Sequence, residues 1–430
     1  MRDAGFKIYL LFVVSWFLHL GTRIPFLGSI RFDLLLILVL SYLAFTQPDR
    51  INHTNTTTDK LIKRLLIYAL VTLPFVEWPG SVINSGLQEW VKAAVFYWFT
   101  VAFIVSERKL LQFMVVFLFC QLWRILEPLY LHLTEGYWGS IASMANWEFM
   151  DRLSGAPHDI VNPNGLAFIV CTVLPFLYFF QGLSWWSRLV FLGLTPATIY
   201  TLMLTGSRSG FLGLEVIFLG IVWKSRRRLL IAVLGVTIAV AAFPFLSADM
   251  QDRYLSIFGA GEKNAATAQG RLEGVEGDLR VIMRRPFFGH GLGTSREANA
   301  NFRGGDQPAH NLYTETGQEL GIFGLLILLA LIRSIVINFN SAQSALARRG
   351  DASGFLKAVV DAMQVWLVMN LLFSFASYGL SSYEWYLFAG LSVALYSILN
   401  VADLNRQAGE AHERHASLPT LPSNRGHGLR

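Results

Sequence analysis

The sequence predicts an all-α, polytopic membrane protein of about twelve transmembrane helices, with one large outer loop that itself contains short helices. Three observations carry that prediction. Hydrophobic residues make up 53% of the chain and charged residues only 15%, where a soluble domain carries about 25% charge. Long apolar runs recur without the alternating pattern of a membrane barrel, which leaves helices as the way to satisfy the backbone in lipid. Lysine and arginine gather in alternate short loops, as expected when positive charge is retained on the inner side.

The first apolar run, Ile8–Leu20, follows Arg2 and Lys7. No small-residue cleavage site comes after it, and Gly21-Thr22-Arg23-Ile24-Pro25 leads into a second run, so it reads as a retained anchor. A spanning helix needs about 20 apolar residues. The candidates are 8–22, 30–46, 61–77, 89–105, 110–131, 162–181, 187–205, 209–223, 228–246, 318–338, 355–376 and 383–400. They divide the chain into a helical block over 1–246, a large outer loop over 247–317, three further helices over 318–400 and a polar tail over 401–430.

With the amino terminus inside, the inner loops hold Arg50, Lys60, Lys63 and Arg64, then Arg108 and Lys109, then Arg188. Lys224 with Arg226, Arg227 and Arg228 follows, and then Arg348 with Arg349. The short outer connections 78–88 and 377–382 carry no Lys or Arg. The net charge of +6 is thus a matter of topology, not a nucleic-acid footprint. The tail, rich in Arg, Glu, His, Pro and Ser, reads as a disordered cytoplasmic end. Cys120 and Cys171 both fall inside apolar runs, and no zinc-ligand spacing exists.

Two larger segments fall outside, His132–Val161 and Ser247–Glu315. In the second, Leu272, Val275, Leu279, Ile282 and Met283 recur near a 3.6 period and predict a helix over Gly270–Arg285. Pro286 with Gly289, Gly291 and Gly293 stops it. Such a helix would lie across the mouth of the bundle with Arg271 in its first turn. Arg280, Arg284 and Arg285 read as solvated, or as meeting lipid headgroups.

Arg208 stands in Thr205-Gly206-Ser207-Arg208-Ser209-Gly210, a short outer turn between two apolar runs. It is either a snorkelling arginine or a functional charge at membrane depth, with the Ser207 and Ser209 hydroxyls able to meet an anion. His310 and Asn311 stand where the outer loop returns to the membrane. A neutral imidazole there can take a proton from a hydroxyl; Asn311 either orients it, binds sugar, or caps the helix. Glu315 and Glu319 lie one turn apart and either orient His310 or favour the positive helix N-terminus. Asn162 and Asn164, in Asn162-Pro163-Asn164-Gly165, are an ordinary helix start that also leaves sugar binding open. His158 and His290 are weaker outer candidates. There is no P-loop, no dinucleotide motif and no compact Asp-x-Asp pair, so neither a nucleotide nor a metal is indicated. No ladder of charges crosses the middle of successive spans, which counts against an ion-coupled transporter or flippase.

In ordered combination, Asn162–Ala167, Thr205–Gly210, Gly270-Arg271, Pro286–Gly293 and His310–Gly324 resemble the O-antigen ligase and O-antigen polymerase superfamily. The chain departs from that pattern in lacking a tryptophan a few residues after Arg271 and in carrying Thr314 where a leucine is usual. The resemblance implies a GT-C-like glycosyltransferase of the bacterial inner membrane. Its site would face the periplasm and both termini the cytoplasm. Its donor would be an undecaprenyl-diphosphate-linked glycan; its acceptor would be lipid A-core, another lipid-linked chain, or a protein. The superfamily's two essential arginines and one histidine fall on Arg208, Arg271 and His310. Ser207, Ser209, Asn162, Asn164, Asn311 and Glu315 are the expected substrate contacts, with no metal or other cofactor.

Overall fold

The computed structural model describes residues 2–46, 56–139, 152–159, 161–245, 251–252, 255, 265–349, 354–376 and 379–416. Among them every regular element is helical. The longer helices are α1 (Arg2–Leu18), α2 (Phe32–Phe45), α3 (Thr57–Val71), α4 (Leu87–Phe103) and α5 (Glu107–Glu135). Next come α6 (Pro163–Phe180), α7 (Trp185–Leu204), α8 (Arg208–Lys224) and α9 (Arg228–Ala242). The carboxy-terminal part holds α10 (Ala265–Ile282), α11 (Ser295–Arg303), α12 (Leu312–Arg349), α13 (Phe355–Phe373) and α14 (Tyr383–Ala416).

Each span expected from the sequence coincides with one of these helices. Five of them, α5, α6, α7, α12 and α13, are long and apolar enough to cross a membrane; α2 and the first part of α9 are shorter apolar helices. Two boundaries differ from expectation. The last helix continues past residue 400 to Ala416, where a disordered tail was expected from Val401; residues 417–430 lie outside the described part. The extension follows from nucleation: once α14 exists, a stretch rich in Ala, Leu, Glu, Gln and Arg propagates it at little cost. At the other boundary, α12 begins at Leu312, six residues before the expected start at 318.

The core is aromatic. Tyr9, Phe12 and Phe17 of α1 interlock with Phe96 and Phe99 of α4 and with Phe113 and Phe117 of α5, all fully or almost fully buried. Trp366 of α13 packs at a tilt against Phe388 of α14 with ring centroids 4.2 Å apart. By contrast, α7 and α9 turn Leu189, Val190, Leu192, Leu229, Leu230 and Val233 outward. A surface of that kind is what lipid-facing helices present.

Two contacts orient the bundle. At one end the Lys224 ammonium donates to Asp361 Oδ1 at 2.7 Å, joining the end of α8 to the start of α13. At the other end Gly213 of α8 lies against Met369 and Phe373 of α13. The two helices are therefore antiparallel, and the start of α8 shares an end of the bundle with the finish of α13. There the Leu312 amide donates to the Ser374 carbonyl at 2.9 Å, which brings the start of α12 to the same end.

Candidate functional site

Arg208 is the first residue of α8, and its turn is built by caps. The Ser207 hydroxyl accepts from the Gly210 amide at 3.1 Å and donates to Asn164 Oδ1 at 2.9 Å. Ser209 Oγ lies 3.2 Å from Ser207 Oγ. Asn162 in turn caps α6, its Oδ1 accepting from the Gly165 amide at 2.8 Å, with Pro163 at the first helical position. Of the residues singled out from the sequence, Asn164, Ser207, Ser209 and Arg208 are thus brought together, Arg208 half-buried and Ser207 fully buried. The Ser207 hydroxyl is occupied by the cap and by Asn164, so its bonds serve the turn.

A residue that sequence reasoning passed over ties this turn down. Arg152 is buried; its Nε donates to the Thr205 carbonyl at 2.8 Å and a terminal nitrogen donates to Asn164 Oδ1 at 2.8 Å. The loop that carries it is anchored by Asp159. That carboxylate accepts two bonds from Arg124, at 2.5 and 3.0 Å, and meets His19 Nε2 at 3.3 Å. Burial by itself would raise the Asp159 carboxyl, but the bonds from His19 and Arg124 outweigh it and lower it to about 2.

His310 is exposed and stands two residues before α12. Asn311 acts as the helix cap: its Oδ1 accepts from the amides of Tyr313 at 2.9 Å and Thr314 at 3.2 Å. Glu315 is buried, and its Oε2 accepts from the amides of Gly379 and Leu380, both at 3.0 Å. Glu319 accepts from the amides of Gly293 at 2.8 Å and Ser295 at 3.3 Å. The two carboxylates therefore hold neighbouring loops against α12, which fixes the leg on which His310 stands.

That leg ends at Gly321, whose φ of 64° and ψ of −166° break α12 into two helical parts. The break frees carbonyls that the Pro286–Gly293 loop uses. The His290 amide donates to the Gln318 carbonyl at 2.8 Å, and the Gly291 amide to that of Glu319 at 2.9 Å; the Ile322 amide donates back to the Pro286 carbonyl at 2.8 Å. His290 itself is fully buried, with Nδ1 2.9 Å from Glu77 Oε2 and Nε2 3.1 Å from the Val281 carbonyl. Both ring nitrogens are engaged, a structural clamp between Glu77, α10 and this loop.

α10 packs its second half on this leg. Asp278 is buried and accepts from Thr314 Oγ1 at 2.8 Å, from Gln318 Nε2 at 3.0 Å and from Arg303 at 3.1 Å. Ile282 lies against Gly317. Asp278 and Ile282 thus both meet the first two turns of α12, between Thr314 and Gln318. Arg271 lies in the first half of α10, seven residues before Asp278 in the chain. The unusual Thr314 is accounted for here: its hydroxyl serves Asp278, which a leucine would leave short of a partner.

Among the described residues, no group of three His, Cys, Asp or Glu side chains is gathered to hold a metal ion. The O-antigen ligase family model matches residues 189–329. The matched stretch runs from α7 through the Gly321 break, and contains Arg208, Arg271, His310 and Glu315, but not Asn162 or Asn164. No curated protein matches the chain.

Proposed function

We propose that this membrane protein, whose residues 189–329 carry an O-antigen ligase domain, moves a glycan from undecaprenyl diphosphate to a hydroxyl of lipid A-core on the periplasmic face of the bacterial inner membrane. The single observation that supports this most is the common end of the bundle shared by the Arg208 turn and the start of α12 behind His310, with Arg271 on the helix packed against that start.

In this reading Arg208 and Arg271 bind the diphosphate, since guanidinium groups give bidentate, permanently charged contacts to phosphate. The His310 imidazole takes the proton of the acceptor hydroxyl. The hydroxyl oxygen bonds to the anomeric carbon as the bond from that carbon to the phosphate oxygen breaks. Undecaprenyl diphosphate leaves with the bonding pair, and the anomeric centre inverts. Fixed cations where negative charge accumulates supply the largest catalytic term, and the base contributes roughly 10²–10⁴-fold. A diphosphate is already a good leaving group, so neither nucleotide nor metal is required by this scheme.

The test is transfer by the purified protein in liposomes from an undecaprenyl-diphosphate glycan to lipid A-core, without added metal or nucleotide. His310→Ala is expected to lower the rate by roughly 10²–10⁴-fold while leaving insertion intact; full activity would remove His310 from the reaction. Arg208→Lys is expected to fail as well, because a point charge does not reproduce the bidentate contact. Elongation of a lipid-linked chain in place of core modification would assign the polymerase reaction instead.

A further inference from the structure

A second basic feature lies outside the three residues above. α10 and α11 enclose a cleft of about 270 Å³ lined by Gly277, Arg280, Val281, Arg284, Phe302 and Arg303. Its arginines are partly fixed in place. The Arg303 side chain lies across Gly277, where a Cβ would come within 2.6 Å of its Nε, and is held by Asp278. The absent side chain of Gly277 is what admits the guanidinium. Arg284 sits with its guanidinium carbon 4.5 Å from the centre of the Phe302 ring, and Phe302 itself packs at a tilt beside His290 at 5.3 Å and Trp78 at 5.9 Å. Arg280 makes no ion pair among the described residues, and Asp278 is the carboxylate bonded within the cleft, to Arg303. Among the described residues Arg284, like Arg280, has no carboxylate partner.

Beside the cleft runs an apolar strip. Leu279, Met283 and Phe287 are exposed at successive turns, and Phe287 stacks on Phe323 with centroids 6.2 Å apart. Phe323 opens the apolar part of α12, along which Leu326 and Leu329 are also exposed. A basic cleft that continues into an exposed apolar track matches a ligand with a charged head and a hydrocarbon tail. We propose that the α10–α11 cleft binds the phosphate of a membrane amphiphile, at a site separate from Arg208, Arg271 and His310. Arg280 and Arg284 meet the phosphate, and the tail follows Met283, Phe287 and Phe323.

The probes are dodecyl phosphate, inorganic phosphate and uncharged dodecanol, added to the full chain in a neutral detergent, with affinity read directly and without turnover. Failure here would therefore leave the transfer reaction untouched. Dodecyl phosphate is expected to bind roughly tenfold or more tightly than either partial probe, and R280Q/R284Q is expected to remove that advantage. Equal binding by the double variant, or equal affinity for inorganic phosphate, overturns the proposal. As a second measurement on the unaltered protein, a photoreactive dodecyl phosphate is expected to label α10 or α11; labelling elsewhere overturns it too. Competition then identifies the natural head group. Displacement by phosphatidylglycerol vesicles marks a bilayer lipid, and displacement by undecaprenyl phosphate alone marks a substrate lipid.

Discussion

The turn that carries Arg208 and the leg that carries His310 reach the same end of the bundle by different means. The Arg208 turn is held by side chains: Arg152, Asn164 and Ser207 form a buried set of bonds around the Thr205 carbonyl and the first amides of α8. The His310 leg is held mainly by backbone amides of neighbouring loops: those of His290 and Gly291 take up carbonyls released at Gly321, and those of Gly293, Ser295, Gly379 and Leu380 donate to Glu319 and Glu315. A charge that must stay put is best fixed by a dense polar network. A base that must meet different acceptors can stand exposed on a rigid leg whose rigidity comes from behind it. Each arrangement has its own point of failure, and substitutions there separate the two.

The largest expected effect is at Gly321. Its backbone conformation is open essentially to glycine alone, and a Cβ would lie 2.3 Å from the Phe287 carbonyl. Gly321→Ala should destabilise the fold by about 3 kcal/mol, visible as a lowered thermal midpoint in detergent, together with loss of transfer. An unchanged midpoint would mean that the break in α12 is not required.

Arg152→Gln comes next. It strips the Thr205 carbonyl and Asn164 Oδ1 of buried donors, at a cost of roughly 1–3 kcal/mol. It should reduce transfer with donor KM rising, while the His310 side stays intact. A kcat loss at constant donor KM would show that Arg152 does not act through the Arg208 turn. Asn311→Ala removes a cap worth about 1 kcal/mol and should loosen only the start of α12, measured as faster amide exchange at Tyr313 and Thr314.

A further effect is confined to acid. Asp159 is lowered to about 2 in the folded chain, against about 3.9 when unfolded. A depressed carboxyl stabilises above its unfolded value, and that contribution is lost as pH falls through the folded one. Unfolding followed between about pH 4 and pH 2 should steepen in the parent and flatten in Asp159→Asn; parallel curves would exclude the His19–Asp159–Arg124 link as the cause.

Much of this was legible in the chain before any coordinates. The helix predicted over Gly270–Arg285 is α10 with the turn behind it, since the apolar period is helical and Pro286 ends it, but Leu279 and Met283, expected to face inward, are exposed. The turn around Arg208 and the return at His310 stood out because polar residues between apolar runs are rare. Arg152 gave no comparable signal. It lies in an irregular outer segment, and its partners are 12 and 53 residues away. Likewise nothing local marks Asp278 as the joint between α10 and α12, or Glu77 as the partner of His290 across 213 residues.

The sequence by itself determined the helices, their apolar faces, and which few cations and imidazoles stand at their ends. Hydrophobic periodicity and cap chemistry act over a handful of residues, so they are written locally. The tertiary structure alone decided which of those ends meet, that α12 is broken at Gly321, and that Glu315, Ser207 and His290 spend their bonds on neighbouring backbone and side chains. Those outcomes depend on hydrogen bonds between segments far apart in the chain, whose geometry exists only once the helices have packed.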